Sequence, residues 1–232
     1  MLKDVLVKIR SAIVGAECKM SRREQAERRF DDLLQTLGTK FVAIDCGANV
    51  GDVAEPLART GAQLFCYEPD HAIAEKLANR LAPYPNATVV QAAVSTYAGK
   101  ALLFRSRLYD QDPESYSARN TIQAEALTRD IDGSWTQMDG DSAYMVDVIN
   151  LLDTLENLIS EHGKIDLLKI DIEGAEVDIL EAIEQRQLFE YIDVTLAEMH
   201  VRRFPDDRRR TEALIARLEA AFTLSKVNLH WR

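Results

Sequence analysis

An apolar run that ends in an acid and passes straight into a glycine-bearing turn constrains this chain more than any other feature. Phe41-Val-Ala-Ile44 leads into Asp45-Cys-Gly47-Ala48-Asn49-Val-Gly51. A run of strand length that gives way to such a turn predicts a buried strand feeding a helix. Glycine there permits positive φ and lets a ligand approach the backbone, and the following helix points free N–H groups into the crevice. A second run, Leu64–Tyr67, ends in Glu68-Pro69-Asp70, with Glu68 seventeen residues beyond Gly51. An acid at the end of the second strand of a doubly wound sheet is where ribose hydroxyls are bound. Together the two segments predict a site for a nucleoside cofactor.

The loop spacing bears on which nucleoside. Dinucleotide folds use G-x-G-x-x-G, whose glycines serve a pyrophosphate. Here Ala48 and Asn49 stand where a middle glycine would be, which disfavours a nicotinamide-dependent oxidoreductase. The form D-x-G-A-N-x-G followed by E-P-D resembles the first two motifs of class I S-adenosylmethionine-dependent methyltransferases. Lys169-Ile-Asp171-Ile-Glu173-Gly174-Ala-Glu176 and Leu196-Ala-Glu198-Met-His200 closely resemble the signatures of the FkbM-type family. The resemblance runs from about Phe41 to about His200. It implies a Rossmann-like fold and methyl transfer from S-adenosylmethionine to an acceptor hydroxyl, often on a sugar or another small molecule. It also implies cofactor contacts from Asp45, Gly47, Ala48, Asn49, Gly51, Glu68, Pro69 and Asp171, with Gln91 and Ala92 beside the adenine.

Composition limits the alternatives. At 232 residues the chain has room for one domain and an appendage. We expect a helical extension over 1–39 and a cofactor-binding domain over 40–232, with an insertion at 105–142. A net charge of −10 disfavours sequence-independent nucleic-acid binding, which depends on neutralising phosphates. Three cysteines give no disulfide framework; Cys18, Cys46 and Cys66 read as small buried hydrophobes. No stretch approaches the roughly 20 apolar residues of a membrane span, and Met1–Lys40 lacks a signal-peptide core. A cytoplasmic protein is therefore expected.

Leu2, Val5, Leu6, Ile9 and Ile13 recur at helical spacing. Ser21-Arg-Arg-Glu24 has the form of a capping box for a second helix that Gly38 would end. These helices could cover the cleft, pack on the sheet edge or mediate pairing into a homo-oligomer. From Phe41 the order is strand 41–46, helix 50–60, strand 63–67, helix 71–81 and strand 88–92. Pro56 requires its position to lie near a helix start. A short strand is expected at 100–104, then the polar insertion, in which Ser115–Ile122 suits either a solvated loop or a lid over a polar acceptor. Order resumes with strand 144–148, helix 151–159, the Ile165 strand, helix 175–183, strand 192–197, helix 208–221 and a strand over 222–229. The alternation predicts an α/β fold with a doubly wound, mostly parallel sheet. The tail is too short for the two-strand hairpin that closes a class I methyltransferase sheet, so an edge strand is either absent or supplied from elsewhere. That shortfall also admits a non-catalytic, cofactor-binding subunit.

Asp45, Glu68, Asp171 and Glu198–His200 all fall at the carboxyl ends of predicted strands, where open parallel sheets bind ligands. Glu68 is the expected ribose acceptor, Asp45 and the Gly47 loop the expected seat of the methionine end, and Asp70 a helix cap. Transfer to an alcohol needs a proton acceptor. His200 is the candidate, with Asp171 beside it, on the premise of a neutral imidazole with a pKa near ~6.5. Asp171, Glu198 and His200 could instead gather Mg²⁺ or Mn²⁺. Lys169 reads as paired with a neighbouring acid inside the sheet. Arg202, Arg203 and Arg208–Arg210 offer an anion site or a solvated helix start paired with Asp206 and Asp207.

Overall fold

The computed structural model describes residues 20–106, 108–129 and 133–231. The expected Leu2–Ile13 helix and Cys18 lie outside them. In chain order the elements are α1 (Arg22–Thr36), β1 (Val42–Cys46), α2 (Ala54–Arg59), β2 (Gln63–Tyr67), α3 (His71–Leu81), β3 (Ala87–Val90), β4 (Ala93–Ser95) and β5 (Gly99–Arg105). There follow α4 (Pro113–Ser117), β6 (Leu127–Arg129), β7 (Trp135–Gln137), β8 (Asp139–Asn150), α5 (Leu151–His162), β9 (Ile165–Ile170), α6 (Glu176–Gln185), β10 (Ile192–Ala197), α7 (Arg208–Ala221) and β11 (Val227–Asn228).

Six strands form the main sheet in the order β11-β10-β9-β1-β2-β3, and every pairing in it is parallel. The order reverses between β1 and β9, so the crevice at their carboxyl ends is the switch point where such sheets bind ligands. β1 and β9 are buried along their whole length, which is why they read as continuous apolar runs. One face of the sheet carries α1, α2 and α3 through Phe30, Leu33, Leu57 and Leu77. The other carries α5, α6 and α7 through Leu155, Ile179, Ile183 and Leu214. The chain is thus the doubly wound α/β fold that the alternation predicts.

Local chemistry explains the boundaries. Ser21 and Glu24 form the reciprocal capping box of α1. Asp70 caps α3 by accepting from Ala72 and Ile73 N–H, and Asn150 caps α5, which Gly163 ends in the left-handed conformation. The first helix after β1 is shorter than expected because residues 50–53 form turns, which leaves Pro56 in the first turn of α2. There its missing N–H costs nothing.

Two regions differ from expectation. The insertion is largely structured: β8 extends back to Asp139 and pairs antiparallel with β5 and parallel with β4, making a second, three-stranded sheet. Between them lie α4 and the antiparallel strand pair β6 and β7. The expected strand over 222–229 shrinks to Val227–Asn228, because Thr223–Lys226 closes a turn in which Lys226 N–H donates to the Thr223 carbonyl. That short strand adds parallel to β10, and no closing hairpin is present among the described residues.

The α1 helix covers this end of the sheet. Asn228 donates to the Arg22 carbonyl, Arg29 to the Ser225 carbonyl, and Arg22 pairs with Glu219 of α7. Phe30 meets Trp231 edge to face at 5.2 Å. Of the placements open to this helix, packing at the sheet edge is the observed one. We therefore expect Phe30→Ala to cost about 3 kcal/mol or more in urea unfolding; a loss under about 0.5 kcal/mol, the surface-residue range, would mean that α1 is an appendage.

Candidate functional site

A single lysine organises the switch point. Lys169, in β9, stands directly across from Asp45 of β1 in the sheet register. Its Nζ lies 3.0 Å from the Asp45 carboxylate and 3.5 Å from that of Asp171, with Lys169 and Asp45 almost wholly buried. It also donates to the Gly47 carbonyl at 2.8 Å. Burial alone would lower the pKa of this ammonium, but Asp45 and Asp171 outweigh it and raise the value. Lys169 therefore remains charged and ties β1, β9 and the glycine loop together. The ion pair with a neighbouring acid is present.

The loop itself is tightly seated. Gly47 has φ +76°, and a Cβ there would lie 1.8 Å from the Asp171 carbonyl oxygen, so only glycine fits. Asn49 also adopts positive φ, and its side chain accepts from Val50 N–H. Its own backbone N–H donates to Glu68 at 3.0 Å, while the other Glu68 oxygen accepts from Asp70 N–H at 2.9 Å. Burial, assisted by the neighbouring Asp70 charge and opposed by these two hydrogen bonds, pushes the Glu68 carboxyl up to about 7.

These groups border a cavity of about 430 Å³, within the usual range for a small-molecule site. Gly47, Ala48 and Asn49 form one side, Glu68, Pro69 and Ala92 another, and Lys169, Asp171, Glu173 and Glu198 the floor toward β9 and β10. The outer wall comes from Glu114 and Ser117–Ile122 of the insertion. Four of the residues singled out in the sequence do not line it: Asp45, Gly51, Gln91 and His200. Asp45 lies beneath Lys169. Gly51 packs against Leu77 and Arg80 of α3. Gln91 is exposed, whereas the adjoining Ala92 faces the cavity.

His200 sits behind the acidic floor. Its Nδ1 is 2.9 Å from Glu176, and its Nε2 is 3.2 Å from Glu173 and 3.8 Å from both Asp171 and Glu198. Burial alone would lower its pKa, but Glu176 and Glu173 raise it well above the ordinary value. These carboxylates favour the protonated ring. From sequence, His200 is expected at the acceptor as a neutral base, whereas the ring stands outside the cavity lining. Facing the cavity instead is Glu198, whose pKa is raised by burial and by the Asp171 charge. One ligand atom from each of Asp171, Glu198 and His200 falls within 4.8 Å of the others, so the three candidate metal ligands do converge.

The arginine cluster also differs from expectation. The arginines near 202–210 form no shared anion site: Arg203 is buried against Glu173 and the Leu127 and Arg119 carbonyls. Arg208 pairs with Glu212, and Arg210 with Asp178 and Glu181, rather than with Asp206 and Asp207. Lys169 is the residue whose importance the sequence understated; a lysine inside an apolar strand was the available signal.

Replacing Lys169 with Met should cost about 3–5 kcal/mol in chemical denaturation, because Asp45 would be left buried without its partner. A near-neutral effect would mean that Asp45 finds another way to keep its charge.

The Methyltransferase FkbM domain profile matches residues 45–223. The chain is 27% identical over 143 residues to the 2-O-methyltransferase NoeI of Sinorhizobium fredii, covering 60% of this chain and 56% of that protein. It is 44% identical over 45 residues to ribosomal RNA small subunit methyltransferase A of Thermotoga petrophila, covering 19% of this chain and 17% of that one. The chain thus spans about half the length of the first of these relatives and far less of the second. A TehB-like SAM-dependent methyltransferase structure from Corynebacterium glutamicum overlaps 38% of this chain and 42% of its own, with a TM-score of 0.23 and 16% identity. No described helix is long and apolar enough to cross a membrane.

Proposed function

Since the chain belongs to the FkbM methyltransferase family, we propose that it transfers a methyl group from S-adenosylmethionine to a hydroxyl of a small molecule or carbohydrate. The observation that carries the cofactor reading is the cavity at the switch point, with a tight glycine loop on one side and the buried Glu68 carboxylate on the other. Support for oxygen as the acceptor atom comes from the relative named as a 2-O-methyltransferase.

When bound, the cofactor supplies a methyl group made electrophilic by its sulfonium. Glu68 would accept hydrogen bonds from the ribose hydroxyls, while Pro69 and Ala92 flank the adenine. Gly47, Ala48 and Asn49 would lie along the methionine end. Asp171, Glu173 and Glu198 give this end of the cavity a negative lining that suits a cationic ligand. Positive charge disperses during an in-line displacement, so these residues chiefly have to hold the acceptor in line and keep water out. The acceptor proton needs a base facing the cavity. Glu198 fits, since its raised pKa brings it nearer the operating pH, with Asp171 beside it. His200 and Glu176 would orient that pair.

A second reading, metal-assisted transfer, is favoured by the convergence of Asp171, Glu198 and His200. Chelation separates the two: activity that survives dialysis against EDTA supports the carboxylate base, and activity restored only by Mg²⁺ or Mn²⁺ supports the cation.

Glu68 makes a pH prediction. Ribose hydroxyls donate to the ionised carboxylate, so binding favours the deprotonated form and releases a proton. With the free value at about 7, affinity for S-adenosylhomocysteine should rise between about pH 6 and pH 8 and level off above. Calorimetry in buffers of different ionisation enthalpy reads this directly. Affinity that is flat with pH, or unchanged in Glu68→Ala, would remove Glu68 from the site.

A further inference from the structure

The insertion between β5 and β8 is fastened to the cofactor side of the cavity through one buried carboxylate. Asp70 is fully buried and accepts from five donors. Its Oδ1 takes the Ala72 and Ile73 N–H groups of α3 and the Tyr109 hydroxyl at 3.1 Å. Its Oδ2 takes Arg105 Nε at 3.0 Å and Asn120 Nδ2 at 3.1 Å. Three of the five come from β5 and the insertion. The Arg105 guanidinium lies over the Tyr109 ring at 4.2 Å and the Tyr144 ring at 4.6 Å, which fixes its direction.

The same carboxylate adjoins the expected ribose site, since Asp70 N–H donates to Glu68. From this anchor the chain runs across the cavity mouth. Ser117 Oγ is 3.3 Å from Asn49 Oδ1 of the glycine loop, and Thr121 Oγ1 donates to the Glu173 carbonyl at the far end at 2.7 Å. Ser117, Asn120 and Thr121 all line the cavity. Besides its backbone pairing with Phe104 and the Arg203 bond to the Arg119 carbonyl, the segment reaches Asp70, Lys76 of α3 and Asn49 of the glycine loop on the cofactor side, and Glu173 of the acidic floor.

We infer that residues 108–122 form the cofactor-retaining wall of the site rather than an acceptor lid, and that Asp70 and Arg105 are positioning residues that hold this wall against the bound nucleoside. The inference rests on the cofactor reading above. Asp70 thus has two separable duties. Capping α3 needs only a side-chain oxygen, which asparagine also supplies. Holding Arg105 needs the negative charge.

That difference makes Asp70→Asn the informative variant, with Tyr109→Phe as a milder one that leaves the charge pair intact. Hydrogen exchange of the ligand-free proteins should be faster over 108–122 in Asp70→Asn and unchanged over α1. S-Adenosylhomocysteine should bind at least about tenfold more weakly to Asp70→Asn, as expected for loss of a charge-assisted hydrogen bond, with a faster dissociation rate. Tyr109→Phe should shift both readouts in the same direction and less. Wild-type binding with equal affinity in both variants would overturn the positioning role. Unchanged exchange over 108–122 in Asp70→Asn would overturn the anchor itself. Wild-type protein that binds no S-adenosylhomocysteine, with exchange still altered in the variant, would locate the failure in the cofactor reading and leave only the anchor standing.

Discussion

The buried pair of Lys169 and Asp45 sets the geometry on which the rest of this site depends. The two residues are register partners on adjacent central strands, and both are almost wholly buried. A slip of one residue would turn the side chains to opposite faces and leave two uncompensated charges in the core. The pair therefore specifies the β1–β9 register more sharply than apolar packing, which tolerates exchange among Val, Ile and Leu. With the register fixed, Cys46 and Ile170 end side by side, and both following loops start from a common level.

The loops are then forced into contact. Gly47 lies against the Asp171 carbonyl closely enough to exclude any side chain. After β9, Glu173 adopts positive φ and Gly174 packs against Phe204. Residues held in such conformations cost stability and concentrate at functional sites. The effect here is to present Asp171, Glu173 and Glu198 together at one end of the cavity, with His200 and Arg203 packed behind them. Acceptor chemistry that removes a proton while a sulfonium loses its charge is compatible with such a lining.

Much of this was legible in the sequence because the informative features were local. β2, α3, β10 and α7 begin and end where their apolar patterns do, and Ser21–Glu24 and Asp70 announce their caps by residue type alone. The six-stranded core follows from the alternation of runs and turns. The second sheet did not, because β5 and β8 pair across more than thirty intervening residues and neither edge carries a local mark of its partner. Side-chain direction was equally hidden. Gln91 and Ala92 are neighbours, yet only Ala92 faces the cavity. His200 follows a strand end as expected, but its protonation depends on Glu176, twenty-four residues away, and no spacing rule reveals that contact.

The position of the bound nucleoside decides what this cavity does. A crystal structure of the protein with S-adenosylhomocysteine tests this most directly. The ribose hydroxyls should lie within hydrogen-bonding distance of Glu68 and the homocysteine end along Gly47–Asn49, with Ser117–Thr121 walling in the ligand. Density for the ligand elsewhere, or in this cavity without contact to Glu68, would contradict this placement.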